Sequence, residues 1–430
     1  MSAHTDRTNG KPPSGAGRSP LLFIFLTVFI DLLGFGIVIP ILPVYSKMYG
    51  ATGLELGLLF AMFSAMQFVF APMWGRLSDK IGRKPILVGG LVGTAASYAL
   101  FANAHSLTML FVSRALAGFF GANISTAQAY IADVTTPENR AKGMGLIGAA
   151  FGLGFTLGPL IGGELTHLYG ESGPGWFAAI LSICAASFGA FMLVEPARHR
   201  REASRVFGFE QVRAAFTTAR IGTIYLLAFL FITSFSAFES FFVFFGMAKF
   251  PEKFGLSTAV TTMSHEEALA AAPMAGRYLA GIGILSAVIQ GVLIRRLVKR
   301  YGETLLVTMG PLVLSIGFLI VALANSWTWV IVGCLVMPLG FGVNNPSLSS
   351  LISRATPSEE QGAYLGLNQS VLSLARICGP VIASIAYVNL GPTAPFYTGA
   401  GILLVGTLVA WSFHRRFAAT FPRTAAPAAH

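Results

Sequence analysis

Apolar stretches of roughly 20 residues recur along the whole chain, and they restrict its possible folds more than any other feature. At about 1.5 Å rise per residue, a helix of this length crosses a hydrocarbon core about 30 Å thick. Of the 430 residues, 54% are hydrophobic and only 11% are charged, whereas a soluble domain carries about 25% charged residues. The sequence therefore predicts a membrane protein rather than a set of soluble domains.

Charged residues and Gly/Pro-rich breaks divide the apolar sequence into twelve predicted helical spans. An even number of spans places both termini on the same side of the membrane. The predicted spans lie near residues 21–44, 53–74, 85–104, 107–131, 141–165, 175–194, 221–248, 277–294, 304–323, 328–352, 363–386 and 393–413.

The basic residues follow the membrane rather than forming a nucleic-acid surface, although the formal net charge is +11. Of the 29 Lys and Arg residues, 23 fall on the side that carries the termini, and Arg114 and Arg376 fall inside spans. The remaining four lie on the opposite side: Lys47, Lys249, Lys253 and Arg277. By the positive-inside rule, both termini are predicted to be cytoplasmic, in a multi-pass protein of the cell inner (plasma) membrane.

An internal repeat divides the chain into two related halves. Thr136-Pro137 recurs 220 residues later as Thr356-Pro357, and the loop at 76–82 corresponds to 296–302 at the same offset. Gly158-Pro159 recurs as Gly379-Pro380. Duplicated halves with a substrate site between them are typical of secondary transporters. The predicted fold class is an all-α membrane protein with twelve transmembrane helices in two pseudo-symmetric six-helix bundles.

The repeat also predicts the domain organisation. The longest cytoplasmic connection, at 195–220, falls near the middle of the chain and links the halves. The predicted order is a disordered cytoplasmic tail at 1–20, an N-terminal bundle at 21–194, the linker at 195–220, a C-terminal bundle at 221–416 and a cytoplasmic tail at 417–430.

Enzymatic and cofactor-binding motifs are missing from the sequence. It contains no GxxxxGK[ST] loop for ATP, no HExxH and no CxxC. Cys184, Cys334 and Cys378 all lie in apolar stretches, so they are interpreted as buried apolar residues rather than metal ligands. We therefore expect no enzyme activity, no cofactor and no metal, and transport would draw on a gradient.

Four ionisable residues inside predicted spans are the candidates for proton coupling: Asp31, Arg114, Glu239 and Arg376. A charge at the centre of a membrane helix costs roughly 2.5 to 3.5 kcal/mol, so such residues usually serve a function. Burial favours the protonated form of a carboxylate, which suits Asp31 and Glu239 to proton binding and release. The arginines keep their charge and would attract a carboxylate in one conformation. The alternative for each residue is a permanent structural ion pair.

Polar and aromatic residues within the spans are candidates for a substrate cavity. Amide side chains also form hydrogen bonds between membrane helices, and this alternative remains open for each of them. The phenylalanines near Glu239 are candidates for an apolar cavity wall. The nominated residues are Gln67, Asn123, Gln128, Phe235, Phe238, Phe242, Asn344 and Asn345.

Four motifs stand out in the first half of the chain. The loop after the second span is GRLSDKIGRKPIL at 75–87, and the fifth span contains GFTLGPLIGG at 154–163. The first span contains IDLLGFGIVIPILP at 30–43, and the fourth contains RALAGFFGA at 114–122. Together they resemble the loop signature, the antiporter motif, the first-span motif and the fourth-span motif of the major facilitator superfamily, and specifically of its twelve-helix drug:proton antiporters, which include bacterial tetracycline efflux pumps. The fourth-span motif departs from the family pattern at Ala117, which replaces the usual Gln.

The resemblance implies a cytoplasmic gate in which Asp79 faces the start of span eleven and Arg83 pairs with Asp133. The corresponding loop of the second half has Lys299 in place of Asp79, so an equivalent acidic latch is not expected there. Alternatively, the basic residues of this loop only enforce topology. The predicted gate residues are Gly75, Asp79, Gly82, Arg83 and Asp133.

The resemblance also implies that the antiporter motif packs span five against span eight and resists leak. Small residues let membrane helices approach closely, and Pro159 bends the helix. The motif residues are Gly154, Gly158, Pro159, Gly162 and Gly163.

The function predicted from these features is secondary active transport, by a proton-coupled antiporter that exports lipophilic drug-like small molecules by alternating access. Its expected partners are a small-molecule substrate, protons and the lipid bilayer, with no nucleic acid, and it is expected to be a monomer. One alternative is a proton symporter or uniporter for a sugar, organic anion or metabolite. Another is a transport-inactive membrane sensor or scaffold. The outer loop from Lys249 to Arg277 is expected to form either a short amphipathic helix or a lid.

Overall fold

A computed structural model describes residues 20–135, 137–196, 213, 215–258, 262–356 and 361–421, and strands are absent from these ranges. The predicted tails and linker fall largely outside them. The first half contains α1 (Pro20–Val38), α2 (Ile41–Met48), α3 (Gly53–Ile81), α4 (Arg83–Ala102), α5 (Leu107–Phe120), α6 (Ile124–Val134), α7 (Pro137–Tyr169) and α8 (Ser172–Met192). The second half contains α9 (Ala219–Lys249), α10 (His265–Val288), α11 (Ile294–Tyr301), α12 (Glu303–Leu323), α13 (Trp327–Ala355), α14 (Gln361–Leu390) and α15 (Ala394–Phe417).

The length and hydropathy of these helices fit a membrane of ordinary thickness. Among the described residues, eleven helical segments are long and apolar enough to cross a bilayer. Helix α7, with 33 residues, occupies the position of predicted span five. The prediction of an all-α membrane protein is therefore confirmed.

The helices form two bundles, one from each half of the chain. In the N-terminal bundle, α1 packs against α7 and α8, α3 packs against α5, and α4 packs against α8. In the C-terminal bundle, α12 packs against α13 and α15, and α9 packs against α14 and α15. Between the bundles, α3 contacts α14 and α7 contacts α10.

Equivalent packing in the two bundles reflects the internal repeat. The buried side chain of Asn123 lies against Gly90, and the buried side chain of Asn344 lies against Gly310. The two glycines are 220 residues apart in the chain, and the two asparagines 221. Each amide therefore fills a space between neighbouring helices of its own bundle, where a residue larger than glycine opposite it would not fit.

Two predicted spans are interrupted. Span one ends as a helix at Val38, because Pro40 has no backbone N–H to donate and its ring crowds the preceding turn; the chain resumes as α2. Span four breaks after Phe120. The Gln67 amide, from α3, donates a hydrogen bond of 3.0 Å to the carbonyl of Gly121 and so satisfies one of the groups that this break leaves open.

Span eight begins earlier than the apolar pattern predicts, at His265 instead of near 277. Ser264 accepts from the backbone N–H of Glu267, and the Glu267 carboxylate accepts from the N–H of Ser264, which is a capping box. The last part of the predicted outer loop therefore continues directly into span eight, and residues 251–254 form one 3₁₀ turn. The described part of the loop from Lys249 to Arg277 therefore forms neither a separate amphipathic helix nor a lid.

Candidate functional site

A cavity lies between the two bundles and is lined by residues from both. The N-terminal bundle contributes residues from α1, α2, α3 and α5, and the C-terminal bundle contributes residues from α9 and α14. Three of its lining residues are charged types, and most of the others are apolar. The lining consists of Phe35, Ile39, Leu42, Leu59, Phe60, Phe63, Ser64, Arg114, Ser236, Glu239, Arg376 and Pro380.

Three of the four candidate proton-coupling residues meet in this cavity, namely Arg114, Glu239 and Arg376. Glu239 and Arg376 lie on neighbouring helices and interact electrostatically, yet no ion pair joins them among the described residues. Nη2 of Arg376 lies 3.4 Å from the hydroxyl of Ser373, to which it donates. In this conformation the Glu239 carboxylate is thus not locked into a permanent structural ion pair.

Asp31, the fourth candidate, lies near the middle of α1 and does not line the cavity. Its neighbour Tyr98, from α4, lies close enough to both Asp31 and Arg114 to interact with them electrostatically. The Tyr98 ring lies against Gly34, one turn from Asp31, so that a Cβ at Gly34 would be 2.9 Å from the ring. Tyr98 therefore connects Asp31 to the cavity wall. Sequence analysis missed it because a single tyrosine in an apolar span carries no distinguishing pattern.

Arg114 is held in an aromatic environment. Its side chain is 2% exposed, and its Cζ lies 5.4 Å from the ring centroid of Phe63 and 5.8 Å from that of Phe101. Such distances fit cation–π attraction. Ala117, which stands where the family motif usually has Gln, offers no polar side chain at this site.

None of the eight nominated cavity residues lines this cavity. The three amides described above lie between helices, and Phe238 and Phe242 pack into the core of the C-terminal bundle with Phe318 and Phe396. The aromatic wall comes from the other bundle. It consists of Phe35, Phe60 and Phe63, which nothing in the sequence separates from the other phenylalanines among the 36 in the chain.

The face at which the described chain begins, at Pro20, and ends, at Phe421, is here called the terminal face, and it contains the predicted gate residues. Nε of Arg83 lies 3.1 Å from Oδ2 of Asp133, and its Nη2 lies 2.6 Å from Oδ1 of Asp79. The Asp79 side chain is 61% exposed. The expected contact of Asp79 with the start of span eleven involves residues 357–363, whose side chains lie outside the described set.

The two glycines of the gate motif differ in role. Gly82 has φ +114°, a conformation that other residues rarely adopt, and it lets the chain turn from α3 into α4. The Glu195 carboxylate accepts hydrogen bonds of 2.7 and 2.9 Å from the backbone N–H groups of Arg83 and Lys84, and so caps α4. Gly75 has no neighbour that an added Cβ would meet within 4 Å. Among the described residues, no neighbouring helix therefore approaches Gly75 closely in this conformation.

The second bundle has an ion pair at the corresponding place, with the charges reversed. Glu303, at the start of α12, pairs with Arg354 near the end of α13, and Ser350 donates to Glu303 at 2.9 Å. Glu303 is 220 residues after Arg83, and Arg354 is 221 after Asp133. This ion pair corresponds to Arg83 and Asp133, whereas the position that corresponds to Asp79 is occupied by Lys299.

The antiporter motif of α7 divides its contacts between two helices. Cβ atoms added at Gly154 and Gly158 would lie 2.9 and 2.5 Å from backbone atoms of α1, and Gly162 faces the same helix. Gly163 instead lies against Ala272 and Pro273 of α10, and Gly276 of that helix lies against Pro159. The expected packing against span eight therefore holds for Pro159 and Gly163, whereas the other three glycines pack within their own bundle.

On the opposite face, here called the distal face, ionic and polar contacts join the bundles. Nε of Arg277 lies 2.7 Å from Oε1 of Glu164. His265 pairs with Glu171 across the same boundary. The backbone N–H of Met263 donates to the carbonyl of Lys47 at 3.3 Å. With the glycine contacts between α7 and α10, these interactions close the distal face in this structure.

Replacing Glu164 by Gln should increase the fraction of molecules that are open at the distal face. Exposed ion pairs contribute at most about 1 kcal/mol, which corresponds to a shift of about fivefold in the open-to-closed ratio. Distances between spin labels on the distal ends of α7 and α10 would measure the fraction of molecules that are open at this face. The exposed Glu252→Gln serves as the control, and Glu164→Arg with Arg277→Glu should restore closure. An unchanged distance distribution in Glu164→Gln would show that the ion pair does not contribute.

Comparison with known proteins agrees with this architecture along the whole chain. The profile of the Major Facilitator Superfamily matches residues 24–377 and 272–428. A class C tetracycline resistance protein of Escherichia coli is 31% identical over 401 residues, covering 90% of this chain and 95% of the relative. Quinolone resistance protein NorA of Staphylococcus aureus is 28% identical over 390 residues, covering 90% and 95%.

Solved structures show the same fold. The crystal structure of the human organic anion transporter MFSD10 (TETRAN) has a TM-score of 0.69 and 27% identity, covering 93% of this chain and 100% of that chain. A bacterial homologue of the human lysosomal transporter Spinster has a TM-score of 0.72 at 15% identity, which establishes similarity of fold. The resemblance that the four motifs indicated is confirmed. The chain belongs to the major facilitator superfamily, and it is a multi-pass membrane transporter of small molecules rather than an enzyme.

Proposed function

We propose that this transporter is a proton-coupled antiporter that exports lipophilic drug-like small molecules. The observation that carries the proposal is the meeting of Glu239, Arg114 and Arg376, from two bundles, in one cavity between them. The relatives named for tetracycline and quinolone resistance support drug-like substrates. A carboxylate in such a cavity exchanges partners as the bundles move, which is what coupling to a proton requires.

In the proposed cycle, a proton and the substrate compete for Glu239. When the cavity is open to the cytoplasm, Glu239 releases its proton and its carboxylate attracts the substrate. After the bundles reorient, protons from outside neutralise Glu239 and displace the substrate. Asp31 binds a proton behind the cavity wall, and Tyr98 and Arg114 transmit its charge state to the cavity. Arg376 stabilises the ionised form of Glu239 between these events.

The charge asymmetry of the loops supports cytoplasmic termini in the inner membrane, so the terminal face becomes the cytoplasmic face. The closed distal face is then the outer one, and the structure corresponds to an inward-facing state. The domain order proposed from the sequence is retained, with a linker at 195–220 and short cytoplasmic tails. We propose that the protein acts as a monomer, since the two bundles of a single chain enclose a complete cavity.

The gate and antiporter motifs fit this cycle. We propose that Asp79, Arg83 and Asp133, with Gly75 and Gly82, close the cytoplasmic face when the bundles rock towards each other. The exposure of the Asp79 side chain in the present conformation suits an open gate. Pro159 and Gly163 of α7 form a close-packed seam with α10 on which the bundles move without admitting water, and the other motif glycines hold α7 against α1.

Substrate-driven proton movement in proteoliposomes tests the proposal. The purified parent protein is reconstituted with a pH-sensitive dye inside, and a tetracycline, a quinolone and a lipophilic cationic dye are added in turn. Movement of protons opposite to the substrate is expected, and Asp31→Asn is expected to reduce it at least tenfold. Unchanged coupling in Asp31→Asn would remove Asp31 from the scheme. Transport without any proton movement would reject proton coupling altogether.

A second candidate is a proton symporter or uniporter for an organic anion. The two arginines of the cavity favour it, as does the similarity to a human organic anion transporter. The same experiment separates the candidates, because a symporter moves protons in the same direction as its substrate and a uniporter moves none.

A further inference from the structure

The free edge of the Arg114 guanidinium is the most unusual polar feature of the cavity. Within the described part of the chain, its Nε and Nη2 atoms are buried and have no hydrogen-bond partner. These two nitrogens form one side of the planar guanidinium, which is the side that binds a carboxylate through two parallel hydrogen bonds. A buried charge with unsatisfied donors is strongly unfavourable unless a ligand completes it. The empty edge therefore indicates an anion site.

The neighbouring protein groups do not occupy this edge. Tyr98 lies close enough to interact electrostatically with Arg114, but it is not a hydrogen-bond partner of Nε or Nη2. The carboxylates of Asp31 and Glu239 form no ion pair with Arg114 among the described residues. The rings of Phe63 and Phe101 lie beside the guanidinium and offer no acceptor oxygen. The ligand must therefore supply the oxygens.

The charges in the cavity wall define the ligand further. When Glu239 is ionised, it offsets one of the two guanidinium charges of Arg114 and Arg376, and a net charge of about +1 remains. Arg376 interacts with Glu239 in the same bundle, whereas Arg114 faces them from the other bundle. The uncompensated positive charge thus lies at Arg114, and the negative charge lies across the cavity.

The apolar part of the wall lies on the same side as Arg114. Phe35 and Phe63 have ring centroids 4.6 Å apart, and Phe60 joins them in the lining. Aromatic rings stack favourably on such a surface. A ligand that fits this wall carries its acidic group next to an aromatic or other apolar ring system.

We propose that Arg114 binds the carboxylate, or an equivalent oxyanion, of an aromatic acid or zwitterion, whose ring system packs on Phe35, Phe60 and Phe63. This inference rests on the proposed transport function and names the substrate class of the same cavity. In a zwitterion, the cationic group reaches the Glu239 carboxylate on the opposite wall. A proton on Glu239 then displaces the cationic end while the acidic end stays on Arg114.

Equilibrium binding to the purified protein tests the inference without any proton gradient. The probes are several aromatic carboxylic acids, zwitterionic quinolones among them, each compared with its own methyl ester. The parent protein is expected to bind acids at least about tenfold more tightly than their esters. In Arg114→Gln this preference should disappear, while Arg114→Lys retains part of it because the charge remains without the two-nitrogen edge. Arg296→Gln, at an exposed arginine outside the cavity, should behave like the parent.

Binding of a lipophilic cationic dye without a carboxylate shows whether each variant is folded. If no acid in the panel binds more tightly than its ester, or if Arg114→Gln weakens acid and ester equally, the inference is overturned. Proton coupling is judged separately in proteoliposomes. An acid preference that depends on Arg114 in a protein without proton movement would keep the substrate class and reject the antiporter.

Discussion

Replacing Glu239 by Gln is expected to abolish substrate-driven proton movement in proteoliposomes, with a loss of at least tenfold. Glutamine has nearly the same shape as glutamate, but its amide does not bind or release a proton at physiological pH. The cavity therefore loses the group for which proton and substrate compete. Substrate binding should also lose its dependence on pH. In the parent protein, affinity for a zwitterionic substrate should fall as the pH falls, by up to about tenfold per pH unit, because protonation of Glu239 removes the negative charge.

The matched control is Glu252→Gln, which removes an exposed carboxylate on the distal face and should leave coupling unchanged. Glu239→Asp keeps an ionisable group and should retain partial coupling. If Glu239→Gln still moves protons, or if its substrate affinity keeps the pH dependence of the parent, then the cavity carboxylate is not the coupling group. Asp31 would then be the remaining carboxylate among the four candidate proton-coupling residues.

Replacing Gly158 by Ala should strongly destabilise the N-terminal bundle. The added Cβ would lie 2.5 Å from the carbonyl carbon of Gly36 and 2.6 Å from its Cα. Both are backbone atoms, so the contact is relieved only if α1 and α7 move apart. Overpacking of this kind typically costs about 1 to 3 kcal/mol, and it would also disturb the cavity residues on α1. Thermal unfolding of the purified protein measures the effect.

Gly152 offers a matched control on the same helix, because nothing lies within 4 Å of a Cβ added there. Gly152→Ala is expected to be neutral or to stabilise the protein by up to about 1 kcal/mol, through the higher helix propensity of alanine. The unfolding temperature should therefore fall in Gly158→Ala and stay the same or rise in Gly152→Ala. Equal unfolding temperatures would mean that α1 and α7 are not in backbone contact at Gly36 and Gly158.

The helices and their repeat could be predicted because the causes are local. A membrane helix forms all its backbone hydrogen bonds internally, so a run of about 20 apolar residues specifies one almost without regard to its neighbours. Even the exceptions carry local signals that were present in the sequence. Pro40 ends α1, and the Ser264–Glu267 capping box starts α10 twelve residues before the apolar pattern predicts.

The charged part of the site was also accessible to sequence analysis, since the high energetic cost of a charge in lipid makes each one conspicuous. Arg114, Glu239 and Arg376 were found in this way. The apolar wall was not. Phe60 and Phe235 are both phenylalanines in apolar spans, so the sequence does not distinguish them. Which of them faces the cavity depends on how each helix is rotated within its bundle.

The all-α membrane fold and the order of the membrane helices follow from the sequence, as does membership of the superfamily, because hydropathy and motif spacing are properties of the chain itself. Tertiary structure decided the contents of the cavity. It placed Asp31 behind Tyr98, left one edge of the Arg114 guanidinium without a partner, and brought Glu239 and Arg376 opposite it. These outcomes depend on packing between residues on different helices, where side-chain volumes and helix rotation, rather than local patterns, select the contacts.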